Sequence, residues 1–303
     1  LQILMKLLLY IFNFKKFLLG MLFGIFVLVL FSFITNYIIK NSNHRLSKIY
    51  SAQQIDSSIY FIGNSRGVPF NMQNLKPIKK IFNLSQNSMN SFQIENIIKS
   101  IKKKQKINKI IYIEITSLID DQVQCPYSIF YDLKFYFEKK SIKQECKRKF
   151  FFEKYLPVSK INNELFYRVL YYFLFPEKDQ LWTNNYKMPK AVCANPKTSD
   201  LIQHFFSKDS EIKIYNKSQD LLKLYSDDNT KIFFFISPVY QRENVALEME
   251  KKFLNMKLQN LIKLNSSLNN SFFKNCSMFA DTIHLSANGV RAISKSKIFG
   301  EFQ

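Results

Sequence analysis

The chain has 303 residues, 47% of them hydrophobic, which suits one or two packed domains and argues against disorder or a collagen-like fibre. With only six glycines it has no glycine-rich phosphate cradle, so Walker-type and dinucleotide-binding readings lose their footing. A net charge of +21 raises nucleic acid as a partner, but six of the 44 basic residues are Arg and the lysines form no arm or stripe, so no nucleic acid is expected.

Residues 17–39 are 23 consecutive positions without a charge. As a helix they are about 34 Å long, enough to cross a hydrocarbon core of about 30 Å. The exit, Asn36-Tyr37-Ile38-Ile39-Lys40, lacks a small-residue cleavage site, so a retained anchor over 1–40 is predicted, with the membrane as partner through 17–39. Lys6, Lys15 and Lys16 before the span balance Lys40, Arg45 and Lys48 after it, so charge alone sets no orientation. Residues 41–57 read as a polar tether and 58–303 as a water-soluble domain.

In that domain, short β-branched and aromatic runs at 58–62, 80–84, 109–115 and 231–236 predict strands, with a weaker one at 277–280. Helical spacing at 92–101 and 245–264 lies between them, and this alternation predicts an α/β fold with a mainly parallel sheet and right-handed crossovers. Residues 116–229 break the rhythm and read as a helical insertion, with helix-like pieces at 150–156, 163–175 and 201–206. Its aromatic stripes read as core, with the membrane interface as the alternative setting for Tyr171-Tyr172-Phe173.

Cys125, Cys146, Cys193 and Cys276 form no CxxC pair, and neither a metal site nor a cofactor is expected. They are expected as buried free thiols; a domain facing an oxidising compartment would instead close Cys125 to Cys146 most cheaply.

A hydroxyl nucleophile needs a base, usually a histidine oriented by a carboxylate. Of three histidines, His44 lies close to the span and His204 sits in a helical run, which leaves His284. Asp281 precedes it by three residues, close enough within one turn of a loop to hold a ring nitrogen. The candidate nucleophile is Ser65, in Gly63-Asn64-Ser65-Arg66-Gly67 at the carboxyl end of the first predicted strand, where open α/β sheets place their sites. Backbone N–H groups after Ser65 are candidate oxyanion donors. The structural alternative for the same residues is a strand-end turn and a helix cap.

Together these pieces resemble the SGNH (GDSL-like) hydrolase superfamily. Gly63-Asn64-Ser65-Arg66 is similar to its first block, with Asn where the namesake motif has Asp. Lys80-Ile81-Phe82-Asn83-Leu84-Ser85-Gln86-Asn87-Ser88 resembles the second, with Ser85 or Ser88 in place of an oxyanion glycine. Asp281 and His284, followed by Leu285 and Gly289, resemble the fifth.

The third block departs from the pattern: Thr116-Ser117-Leu118 stands where the family often has Gly-x-Asn-Asp. Thr116 or Ser117 is the candidate substitute, and loss of one oxyanion donor costs about 2.7–4 kcal/mol of transition-state stabilisation.

The resemblance implies a three-layer α/β/α domain, flavodoxin-like in outline. It also implies a Ser65–His284–Asp281 triad, with Asn64, Arg66, Ser85, Ser88 and Thr116 as oxyanion or substrate-binding candidates. Anchored members of the superfamily imply a serine esterase or O-acyltransferase in a bacterial cytoplasmic membrane, its domain on the outer face, acting on an acylated glycan or acyl donor. The alternative is an inactive scaffold that binds glycan or a membrane-bound acyltransferase.

Overall fold

The computed structural model describes residues 2–42, 59–70, 81–85, 89–102, 108–119, 148, 164–175, 208–240 and 243–295. Two compact units emerge: Leu1–Ser47 with Cys125–Glu177, and Lys48–Gln124 with Lys178–Gln303.

The first unit contains α1 (Gln2–Asn41). Its stretch Asn13–Ile39 has a mean hydropathy of 2.8, and among the described residues this is the one helix long and apolar enough to cross a membrane. Leu18, Leu19, Leu28 and Phe31 point in different directions around it and all are exposed. A helix apolar on every side and exposed on every side is matched to hydrocarbon, whereas a soluble core helix would be covered.

The second unit is built on four parallel strands, β1 (Ile59–Ile62), β2 (Ile81–Asn83), β3 (Lys109–Glu114) and β4 (Thr230–Phe235), in the order β2-β1-β3-β4. Ile59 stands level with Ile81 on one side and Ile110 on the other, and Lys109 stands level with Thr230. Ile59 and Phe61 enter a cluster with Tyr112, Phe235, Phe273, Phe279 and Ile293, while the opposite-parity residues Tyr60, Ile62, Ile111, Ile113 and Phe234 are buried too. Burial on both faces is why these strands read as continuous apolar runs, and it makes the unit a three-layer α/β/α domain.

Each parallel neighbour needs a crossover. The one from β2 to β3 is α2 (Ser91–Lys102), whose buried Phe92, Ile94, Ile97, Ile98 and Ile101 follow helical spacing. It starts with a reciprocal cap: Gln93 N–H donates to Asn90 Oδ1 at 3.0 Å and Asn90 N–H to Gln93 Oε1 at 2.9 Å. The first unit also contains α3 (Glu164–Leu174), and in the second unit the crossover into β4 ends in α4 (Lys208–Tyr225). Sequence spacing assigned 208–225 to the insertion; instead α4 packs against α2 and β4, as a parallel β3–β4 pair requires.

After β4 come α5 (Glu243–Asn255), the short α6 (Asn270–Lys274) and α7 (Ala287–Lys295). Leu261 and Leu264 lie beyond α5 rather than on it. The weak strand at 277–280 is not formed. Asn275 accepts from Ser277 N–H and starts a 3-10 turn over Cys276–Met278, leaving Phe279 alone to bridge Leu285 in antiparallel fashion. Cys276 is disulfide-bonded, which overturns the free-thiol expectation at that position. Cys125, Cys146, Cys193, the tether from 43 and the helical pieces at 150–156 and 201–206 lie outside the described residues.

Candidate active site

Strand order 2-1-3-4 means the chain leaves β1 toward one edge and returns to build toward the other, so the topological switch point, where open α/β sheets hold their sites, falls between the carboxyl ends of β1 and β3. The turn holding Ser65 follows β1, and the 3-10 turn Ile115–Leu118 follows β3. A Cβ on Gly63 would stand 2.7 Å from the Glu114 Cβ, so only glycine lets these two strand ends come this close.

Hydrogen bonds lock the Ser65 turn from beneath. Gly67 N–H closes it on the Asn64 carbonyl at 3.0 Å, and Arg66 N–H donates to Asn64 Oδ1 at 3.0 Å. Asn64 N–H donates to Ser117 Oγ at 2.7 Å, and Asn64 Nδ2 reaches Thr116 Oγ1 at 3.4 Å. From β2, Asn83 Nδ2 donates to the carbonyls of Gly67 and Val68 at 3.0 and 3.1 Å. Ser65 itself is half-buried.

Glu114 is the hub of this arrangement and is fully buried. Its carboxylate accepts from the hydroxyls of Thr116 and Ser117 and, at 3.3 Å, from Ser237 N–H. Arg66 Nη1 lies 3.8 Å away, and Arg66 Nη2 donates to the Ser237 carbonyl. Burial pushes the Arg66 guanidinium down from its ordinary value while Glu114 opposes the shift. One carboxylate thereby ties the ends of β1, β3 and β4 together, and the sequence reading missed it. The signal was present: a lone Glu ending the apolar run Ile110-Ile111-Tyr112-Ile113 must either be paired or be costly.

The same network fixes what the other candidates do. The Arg66 guanidinium and the Thr116 hydroxyl face Glu114. Ser85 is fully buried, and its N–H donates to Asn83 Oδ1 at 2.8 Å. Ser88 lies outside the described residues.

On the other side of the site, Phe279 and Leu285 anchor a narrow turn in the core, and Ala280 N–H donates to the His284 carbonyl at 2.8 Å. At its tip Asp281 Oδ1 accepts from the N–H groups of Ile283 and His284, both at 2.9 Å, and Asp281 Oδ2 lies 2.7 Å from His284 Nδ1. This pairing fixes the His284 tautomer with Nδ1–H toward the carboxylate and Nε2 as the proton acceptor. Burial, the largest influence on Asp281, works against its charged form. The His284 hydrogen bond and charge, with the two backbone donors, outweigh it and hold the carboxyl below its usual range.

Ser286 caps α7 directly behind this turn, its hydroxyl donating to the Ser277 carbonyl at 2.6 Å and accepting from Gly289 N–H at 3.3 Å. A Cβ on Gly289 would sit 2.1 Å from the Met278 carbonyl oxygen. Gly289→Ala should therefore cost about 1–3 kcal/mol by overpacking, read as a lower midpoint in denaturant unfolding.

Contacts run from one turn to the other. Arg66 reaches Ser237, and three residues on, Tyr240 N–H donates to the Thr282 carbonyl at 3.1 Å, inside the Asp281–His284 turn. Phe70, just past Ser65, packs on Phe235 at 4.8 Å between ring centroids, and Tyr240 on Phe279 at 5.4 Å. The two candidate blocks thus share one end of one sheet.

Because the Asp281 carboxyl is depressed in the folded chain, its stabilising contribution is present above the unfolded value of about 3.9 and is lost as pH falls through the folded value. The stability difference between the wild type and Asp281→Asn should be full near neutrality and shrink below about pH 4, as checked by thermal unfolding across a pH series.

No family model matches the chain, and no curated protein does. A solved structure from Streptococcus pneumonia, provisionally described as a platelet activating factor, is similar with a TM-score of 0.45 at 12% identity, covering 89% of this chain and 97% of that one.

Proposed function

We propose that the chain is a membrane-anchored, SGNH-type serine esterase or O-acyltransferase acting on cell-envelope glycans. The observation that carries this reading is the 2.7 Å contact between Asp281 and His284 at the end of the sheet where the Ser65 turn also lies. In this mechanism His284 Nε2 takes the Ser65 proton as Oγ attacks an acyl carbonyl, and Asp281 stabilises the imidazolium. The proton then passes to the leaving alkoxide, giving acyl-Ser65. Water or a sugar hydroxyl, deprotonated by the same imidazole, takes the acyl group and frees the serine. The oxyanion is stabilised by the Ser65 N–H, since the N–H groups of Asn64, Arg66 and Gly67 are engaged within the turn or by Ser117, and the β3-end hydroxyls by Glu114.

The anchor is α1, and the domain faces the outer side of a bacterial cytoplasmic membrane. The disulfide at Cys276 supports this side, because such bonds persist in oxidising compartments. A fluorophosphonate probe tests the chemistry: an adduct mapped to Ser65 in folded protein is expected.

One observation favours a second reading, a scaffold that binds glycan or a membrane acyltransferase without turnover: Thr116 and Ser117 spend their hydroxyls on Glu114. Absence of any adduct, while a control esterase reacts, would select the scaffold.

A further inference from the structure

Within the anchor-side unit, α3 lies antiparallel against the end of α1. Ser42 Oγ donates to the Val169 carbonyl at 2.6 Å, and five residues earlier on α1 the Tyr37 ring meets Phe173 edge-on at 6.0 Å. As α3 proceeds, α1 is met progressively closer to its middle, so the carboxyl end of α3 runs back alongside the last turns of the stretch ending at Ile39. Phe166 and Val169 are buried.

A different face is left outside. Tyr167, Tyr171, Leu174 and Phe175, at i, i+4, i+7 and i+8, form one stripe, and they are 58%, 41%, 59% and 48% exposed. Tyr171 and Phe175 pack on each other with ring centroids 5.1 Å apart. Residues 169–175 carry no charge. In a water-soluble helix an apolar stripe of this kind would face the core. Here it is presented to the surroundings, level with the end of a helix long enough to span a bilayer, and three of the residues at 167–172 are tyrosines, which have an apolar ring and a polar tip. That chemistry fits the boundary between headgroups and acyl chains.

We infer that α3 is a second membrane-embedded element, seated beside α1 in the lipid interface with Tyr167, Tyr171, Leu174 and Phe175 turned to lipid. This rests on reading α1 as a span. It gives the chain two points of attachment, so the anchor-side unit is held at fixed depth rather than swinging on a single helix.

The full chain, carrying Trp182→Phe to remove its one tryptophan, is reconstituted in phosphatidylcholine–phosphatidylglycerol vesicles with a single probe, Tyr171→Trp or Leu174→Trp on α3, or Phe33→Trp on α1. The lipids carry bromine either near the headgroup or near the bilayer centre, and iodide reports water. Loss of emission at both α3 probes to shallow bromine, with little to iodide, together with loss at the α1 probe, supports the inference. Loss at the α1 probe alone, with iodide reaching both α3 probes, overturns it and leaves the span standing. Shielding of the α3 probes from bromine and iodide alike would mean that protein covers the stripe, and also overturns it. No loss at any probe overturns the span and the inference together.

Discussion

Ser65→Ala should lower turnover of a chromogenic acetyl ester, and acyl transfer to an oligosaccharide, by about 10⁴-fold or more, because nucleophile and base act as one unit. Ser65 occupies the turn at the carboxyl end of β1, and His284 carries the only imidazole among the described residues that is held by a carboxylate. If they act together, the double variant Ser65→Ala, His284→Ala should be scarcely worse than either single one. Additive losses, or a Ser65→Ala protein that turns over as the wild type does, would rule out acyl-Ser65. Alanine removes one oxygen from a half-buried position, so folding should be little affected and the comparison is clean.

The second large effect concerns stability. Glu114→Gln leaves the Arg66 guanidinium buried beside a neutral amide, and Arg66→Met leaves the Glu114 carboxylate buried without a cation. Breaking a buried pair in this way typically costs about 3–5 kcal/mol, chiefly the penalty of the stranded charge. Each single variant should lose that much in denaturant unfolding of detergent-solubilised protein. The double variant should lose less than the sum, since neither charge remains to be stranded. The Ser65 turn hangs on the same network through Asn64, so both single variants should also label more slowly with fluorophosphonate. A loss below about 1 kcal/mol in both would mean that water reaches the pair and that it does not organise the site.

The sequence revealed the sheet well, because strands covered on both faces are written as apolar runs; the four strong runs all became strands within a residue or two. It misled at 277–280, where Asn275 captures the backbone for a 3-10 turn and only the core contact of Phe279 survives. The crossover helix α4 was hidden by composition: buried Ile214, Ser218, Leu221 and Leu222 are interspersed with Lys, Asp and Asn, so its inner face is thinly marked. At the site, the Asp281–His284 pair could be read from spacing, since three residues around a loop bring carboxylate and imidazole together. The Glu114–Arg66 pair could not, because its members are far apart in the chain and meet only once β1 and β3 are side by side. The stripe on α3 was visible as a pattern, but that its side chains lie outside the core could be read only from their exposure in the folded chain.

The contact between Ser42 and Val169 joins residues 127 positions apart. At ribosomal rates of about 5–20 residues per second, α1 would emerge roughly 6–25 s before α3 is made to meet it. On the proposal that α1 spans and α3 joins it in the interface, α1 alone holds the nascent chain over that interval, and β3 waits longer still for its neighbour, since β4 begins only at Thr230. A cell making this protein therefore faces a window in which an unfinished sheet edge is exposed, and any helper that shields it has to act until β4 is made.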